Sequence, residues 1–293
     1  MTPRAWVLFT LSSVIWGVPY LFIKIAVDAG VPPAFVAWAR VALGAALLLP
    51  VALSRGALRG LWGGGRGTAV AAYAACEIAV PFVLIAMGER YISSSLTAIL
   101  IATMPLLVAL LSVRFAHANK PTGLGLVGLV VGLGGVVALL GVDVAGRPDE
   151  LLGAALVLVA TLGYAAAPII VSRRLADLDP LGPVAASLVL ATIALLPAAL
   201  VQRPQVMPGP AALVALVVLG VVCTVLGLVV FFQLIAEAGP GRASIITYVN
   251  PLVAVVVGVL VLHEDVGAMA LIGLLLILGG SWLAAAGGTA AAV

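Results

Sequence analysis

Ser95–His117 reads SLTAILIATMPLLVALLSVRFAH, and Gly241–His263 reads GRASIITYVNPLVAVVVGVLVLH. Each is a long apolar run broken near its middle by a proline, Pro105 after Met104 and Pro251 after Asn250. The two prolines are 146 positions apart, and so are the closing histidines His117 and His263. In hydrocarbon a proline frees a backbone carbonyl, which then needs protein or cavity water nearby. A repeated, interrupted apolar segment points to the central site of a carrier. A lipid-facing kink is the alternative; the recurrence favours a cavity.

The surrounding composition agrees. Of 293 residues, 64% are hydrophobic and 9% charged, with a mean hydropathy of +1.32. A water-soluble domain carries about 25% charged residues, so the chain belongs in a bilayer. The net charge of +3 comes from scattered basic residues, with no basic face interleaved with aromatics, and no nucleic-acid partner is expected. Cys76 and Cys223 are too few for a disulfide framework or a metal site.

A spanning helix needs about 20 apolar residues, and ten segments qualify: 5–27, 33–54, 67–87, 91–113, 121–141, 151–172, 180–201, 210–235, 241–262 and 266–287. The first is too long, and lacks the small-residue cleavage site, for a removed signal sequence. The segments match in order across the two halves. Pro19 pairs with Pro168 and Asp28 with Asp177 at an offset of 149, Pro50 with Pro197 and Cys76 with Cys223 at 147, and Gly134-Gly135 with Gly279-Gly280 at 145. Residues 1–141 and 151–287 therefore read as two five-helix repeats joined by 142–150. Five is odd, so the second repeat enters the membrane from the opposite side. The expected fold class is an all-α integral membrane protein of ten transmembrane helices, two inverted five-helix repeats around a central cavity.

Lys and Arg set the orientation. With a cytoplasmic N-terminus, the inner loops hold Arg4, Arg55, Arg59, Arg66, Arg114, Lys120, Arg173, Arg174 and Arg242. The outer loops hold Arg90, Arg147 and Arg203. Both termini are thus expected in the cytoplasm.

Few side chains at membrane depth can carry chemistry. Glu77 is the only acidic residue near the middle of a span, where an ionised group costs about 2.5–3.5 kcal/mol. It either meets a substrate ammonium or a coupling proton, or it is a protonated glutamate bonded between helices. Tyr73 and Pro81 share its helix face, and the matching position in the second half is Thr224. Thr247, Tyr248 and Asn250 precede the Pro251 break. Asn250 suits a carboxylate or an amine, or else a neighbouring helix backbone. Trp16, Tyr20 and Tyr164 flank Pro19 and Pro168, with Trp16 and Tyr164 deep enough to line a cavity; Trp6, Trp38, Trp62 and Trp282 read as anchors or packing. Lys24 can snorkel outward from its helix end. Arg40 can pair with an acid or hold an anionic substrate, and pairing is the commoner role. Gly128 and Gly132 form a GxxxG, more often used for close packing inside a bundle than for dimers. Gln233, near the inner end of the eighth span, is a candidate gate contact. No nucleotide-binding loop, zinc-protease signature or histidine at depth occurs, so no cofactor, metal or catalytic residue is expected.

Trp16-Gly17, Arg40, Pro105 and Pro251, Glu264 opening the last span, and the Gly-Gly pairs of spans five and ten occur in the order seen in the EamA branch of the drug/metabolite transporter superfamily. Over nearly its whole length the chain resembles that family, and within it the YddG-type exporters of aromatic amino acids. The resemblance implies a cavity lined mainly by spans one, three, four, six, eight and nine. It makes Trp16, Tyr20, Tyr73, Glu77, Met104, Tyr164, Tyr248 and Asn250 candidate substrate contacts. The family's acidic residue at the start of the last helix of each half is present as Glu264 but replaced by Ala118 in the first half. Lys24 and Arg40 look too few and too peripheral for a sugar-phosphate exchanger. The function this implies is an inner-membrane exporter of amino acids of broad specificity in a bacterial cell, working as a monomer by alternating access, with Pro19, Pro105, Pro168 and Pro251 as hinges. Proton-coupled efflux of drugs or other small metabolites is the alternative, and a membrane-embedded enzyme or a passive channel are remoter ones.

Overall fold

The computed structural model describes residues 1–115, 123–141 and 146–289. His117, Ala118, positions 142–145 of the connecting segment and the last four residues lie outside them. The described chain is helical throughout, with no strand. We number its ten spans α1 (Pro3–Asp28), α2 (Pro33–Ser54), α3 (Arg66–Gly88), α4 (Ser94–Ile101 and Met104–Phe115), α5 (Leu124–Leu139), α6 (Pro148–Arg174), α7 (Leu181–Val201), α8 (Pro210–Ala238), α9 (Pro240–Leu262) and α10 (Ala268–Thr289). Nine meet the length and hydropathy of a membrane-crossing helix among the described residues, and α5, at 16 residues, is shorter.

The helix starts are written locally. Proline occupies the first turn at Pro3, Pro33, Pro148, Pro210 and Pro240, where its fixed φ suits the helix and its missing N–H costs nothing. The Thr2 hydroxyl accepts from the Ala5 amide at 3.1 Å, and the Ser93 hydroxyl from that of Leu96 at 3.1 Å. In α6, Asp149 and Glu150 sit in the first turn and Arg173 and Arg174 in the last, each at the dipole end it favours.

Helices pack through small residues, as association without a hydrophobic drive requires. Gly128 and Gly132 of α5 lie against Gly280 and Ala284 of α10 and Leu106 of α4, so closely that a side chain at these glycines would meet backbone or leucine. The GxxxG is thus buried within the bundle. Gly88 of α3 and Gly153 of α6 make a similar close crossing. The outer surface is apolar, with Val137, Val201 and Leu260 all more than two-thirds exposed, as a lipid-facing surface needs.

The interruptions differ between the halves. α1 breaks at Val18 before Pro19, and α4 at Ala102–Thr103 before Pro105. Pro168 and Pro251 instead sit inside unbroken helices. There each proline still leaves the carbonyl four residues back, Tyr164 and Thr247, without its helical donor. In α9 the irregular turn comes earlier, at Ser244–Ile245. A feature not visible in the sequence recurs in both halves: π-helical turns at Ala74–Ala79 in α3 and Val218–Leu226 in α8, around Cys76 and Cys223. Such turns are rare and concentrate at functional sites.

Candidate functional site

Helices α1–α4 and α6–α9 enclose a cavity of about 660 Å³. It starts near mid-span at Tyr20, Arg40 and Glu77 and runs out to the exposed Ala176, Pro180 and Ser244. Those three lie where α6 ends and α7 and α9 begin, on the face of the bundle that also carries the N-terminus. Spans two and seven contribute wall beyond the six spans expected, through Arg40 and through Pro183, Val184 and Leu188.

Trp16, Tyr20, Tyr73, Glu77, Met104, Tyr164 and Asn250 all line this space, as do Pro19, Pro105, Pro168 and Pro251. Tyr248 does not. Thr247, Asn250 and Pro251 form the inward i, i+3, i+4 stripe of α9, and residue 248 is turned about 100° from Thr247. Gln233, expected as a gate contact, is exposed and also outside the wall.

The lining is pinned by neighbours. The Trp16 indole donates to the Cys223 carbonyl at 3.2 Å and packs on Phe231 at 4.6 Å. Gly227 permits this, since a Cβ there would stand 2.5 Å from the indole nitrogen. Oriented to satisfy its neighbours, the Asn250 amide donates to the carbonyls of Ile246 at 2.9 Å and Ser13 at 3.2 Å. Its nitrogen therefore ties α9 to α1, leaving its oxygen as the group available to cargo. Glu77, in the π-helical turn of α3, makes no hydrogen bond or ion pair among the described residues. Cys76 and Cys223 are free thiols.

Arg40 corrects the expectation of a structural ion pair and of a peripheral place. It is buried at 9% exposure and lines the cavity. Its Nε donates to the Thr224 hydroxyl at 3.0 Å, and its guanidinium carbon lies 3.9 Å from the centre of the Phe82 ring. Among the described residues no carboxylate pairs with it. The Thr224 hydroxyl in turn donates to the Leu219 carbonyl at 2.9 Å, across the π-helical turn of α8. No group of acidic, histidine or cysteine side chains among the described residues could hold a metal.

The sequence pattern of the EamA-like transporter family matches residues 4–141 and again residues 151–286. The chain belongs to the EamA-like transporter family. An uncharacterized inner membrane transporter, YedA, of Escherichia coli (strain K12) is 28% identical over 88% of this chain and 82% of its own length. Protein PagO of Salmonella typhimurium is 27% identical over 85% and 82%, and an uncharacterized transporter of Archaeoglobus fulgidus 26% identical over 89% and 91%. A solved crystal structure superposes with a TM-score of 0.67 over 97% of this chain and 98% of the other, at 19% identity, a likeness of fold alone. The protein is thus a multi-pass inner-membrane transporter of the drug/metabolite superfamily.

In this EamA-like protein the end of the cavity away from the N-terminal face is closed. Ile23, Ile85 and Leu219, each 2% exposed or less, pack together from α1, α3 and α8. Beyond them, Lys24 donates to the Glu89 carbonyl at 2.9 Å and pairs with Asp28 at 3.0 Å. Lys24 thus turns onto α3 instead of reaching freely outward. Glu264 accepts from the Ser94 amide at 2.7 Å, the Ser95 amide at 3.0 Å and the Ser95 hydroxyl at 2.5 Å, capping the start of α4. Glu89 and the two serines gave no signal: Glu89 falls between two expected spans, and Ser94 and Ser95 open the fourth, with nothing local to show that Glu264, 170 positions beyond Ser94, accepts from them.

Proposed function

We propose that the protein exports amino acids of broad specificity across the inner membrane by alternating access. The observation that carries this reading is the cavity itself: closed at one end, apolar and aromatic along most of its wall, with Arg40, Glu77 and the Asn250 oxygen as isolated polar groups. Aromatic rings and Met104 would receive an apolar side chain. The polar groups, and the carbonyls of Tyr164 and Thr247 that lose their helical donor to proline, would meet the charged ends of a zwitterion. A wall with so few fixed charges discriminates weakly between apolar side chains. The basic-residue bias of the loops puts the N-terminus, and hence the open mouth, in the cytoplasm, the state in which an exporter loads. Residues 1–141 and 151–287 act in this scheme as inverted repeats that exchange conformations within one monomer, bending near Pro19, Pro105, Pro168 and Pro251.

Counterflow in proteoliposomes tests the proposal. Vesicles preloaded with unlabelled phenylalanine, threonine or lysine are expected to accumulate the same labelled amino acid transiently, which a channel cannot do. Absence of accumulation with all three, in folded protein, removes the amino-acid reading. A second reading, proton-driven efflux of lipophilic cations, is favoured by the unpartnered Glu77 in the wall. Under it, Glu77→Gln abolishes efflux and its dependence on the proton gradient; under the first, where Glu77 meets only the ammonium, counterflow persists without a proton gradient and at lowered affinity.

A further inference from the structure

We infer that Arg40 is the carboxylate anchor of the cavity, so that cargo is recognised by an anionic group first and by its side chain second. The inference deepens the amino-acid proposal and rests on it for the identity of the cargo, but the site's chemistry stands on its own observations. Arg40 is the seventh residue after the start of α2, about 10 Å along the helix, and it reaches the mid-span region around Thr224. A guanidinium at such depth needs compensation. It presents five N–H donors. One, on Nε, is used by Thr224. The remaining four, on the two terminal nitrogens, meet no protein acceptor among the described residues, yet those atoms are not sealed away, since Arg40 forms part of the cavity wall.

The group is also held still. Thr224 fixes Nε, and its hydroxyl proton is committed to Leu219, so this bond has one direction. Phe82 supports one face of the guanidinium. A plane fixed at its Nε edge and backed by a ring leaves its terminal edge free for two parallel bonds to a planar carboxylate, the geometry in which arginine binds such groups strongly. Lysine would supply charge without that fork. Glu77, unpaired in the same wall, offers the opposite pole for an ammonium. Cargo carrying a carboxylate and an apolar body satisfies both the arginine and the aromatic wall; a simple amine satisfies only the wall and Glu77.

Binding of three probes to purified protein in detergent, read by calorimetry, tests this: phenylalanine, 3-phenylpropanoate, which lacks the ammonium, and phenethylamine, which lacks the carboxylate. Phenylpropanoate is expected to bind at least tenfold more tightly than phenethylamine. Arg40→Gln should remove that preference, Arg40→Lys should retain part of it, and Thr224→Val, which frees Nε but keeps the charge, should weaken phenylpropanoate by a smaller factor. Monodisperse elution of each variant establishes folding. Binding of phenylpropanoate without phenylalanine keeps the anchor and removes the amino-acid cargo. Phenethylamine binding as tightly as phenylpropanoate, no carboxylate binding to folded wild type, or an unchanged preference in Arg40→Gln overturns the anchor.

Discussion

The two ends of the cavity are held by different kinds of contact. At the open end, Arg66 pairs with Asp177, and Thr2 and Arg4 meet Glu237, the last pair at 3.9 Å. Each pair has one well-exposed partner, Asp177 at 62% and Arg4 at 71%, and each joins helices that already pack together: α3 with the end of α6, and α1 with α8. At the closed end Glu89, Ser94 and Ser95 are buried and Lys24 is 19% exposed, and Lys24 bonds the end of α3 from α1, two helices with little other contact there. Glu264 clamps the start of α4 to the junction of α9 and α10. Exposed ion pairs contribute about 0–1 kcal/mol. Hydrogen bonds to a charged group contribute about 1.5–3 kcal/mol, and a buried donor left alone costs about 1–3 kcal/mol. The closed end is therefore where the chain invests in one conformation, while the open end is free to change.

The largest effect should come from Glu264→Ala. It leaves the Ser94 and Ser95 amides without their acceptor, and a loss of even about 1.4 kcal/mol shifts a closed–open equilibrium tenfold. A reporter thiol, Ile23→Cys, in a background lacking Cys76 and Cys223, reads this directly. Its labelling by an impermeant maleimide from the closed face is expected to rise at least tenfold in Glu264→Ala. Unchanged labelling would mean that the apolar plug of Ile23, Ile85 and Leu219 alone holds the end shut.

Glu89 gives a smaller, pH-dependent effect. It lies just past the end of α3, fully buried, and neither carboxylate oxygen has a partner. Burial pushes its carboxyl well above the usual carboxylate range; Glu264 and Asp28 push the same way, while Lys24 and Arg40 oppose. An opened end would hydrate Glu89 and return it toward its ordinary value, so between the two values the closed state binds the extra proton. Closure is then fully favoured below the ordinary glutamate range and weakens as pH rises through the raised value. Labelling of the Ile23→Cys reporter, normalised to an exposed thiol, should increase with pH in the native background and lose that dependence in Glu89→Gln. A flat native profile would show that Glu89 keeps its proton state in both conformations.

The same contrast marks what the sequence could tell. Spans were legible because length and hydropathy are local: the expected 33–54 and 180–201 lie within a residue of α2 and α7. The wall was legible where a proline or a lone polar residue interrupts an apolar run, as at Trp16, Glu77, Met104 and Asn250. Tyr248 failed because proximity to a break says nothing about which side of a helix a residue faces. Arg40 was misplaced because its partner Thr224 is 184 residues away. Glu89 gave no signal because Lys24, Asp28, Arg40 and Glu264, distant in sequence, come near it only in the fold. The π-helical turns left no trace, since a one-residue widening of the helix has no composition of its own.

Arg66→Ala supplies the smallest effect and the sharpest control on the comparison. Arg66 and Asp177 are 33% and 62% exposed at their side chains, so water already competes for both charges, and removing one leaves the other hydrated and not stranded. The pair also sits beside helices whose packing does not depend on it: Gly88 and Gly153 hold α3 to α6 farther along. The substitution is expected to change the melting temperature of the purified protein by no more than about 1 kcal/mol would, and to leave closed-face labelling of the Ile23→Cys reporter unaltered. If Arg66→Ala instead raised that labelling as Glu264→Ala should, the two ends would be mechanically coupled through α3. The open-end pair would then be part of the same latch, and the division between an invested end and a free one would fall.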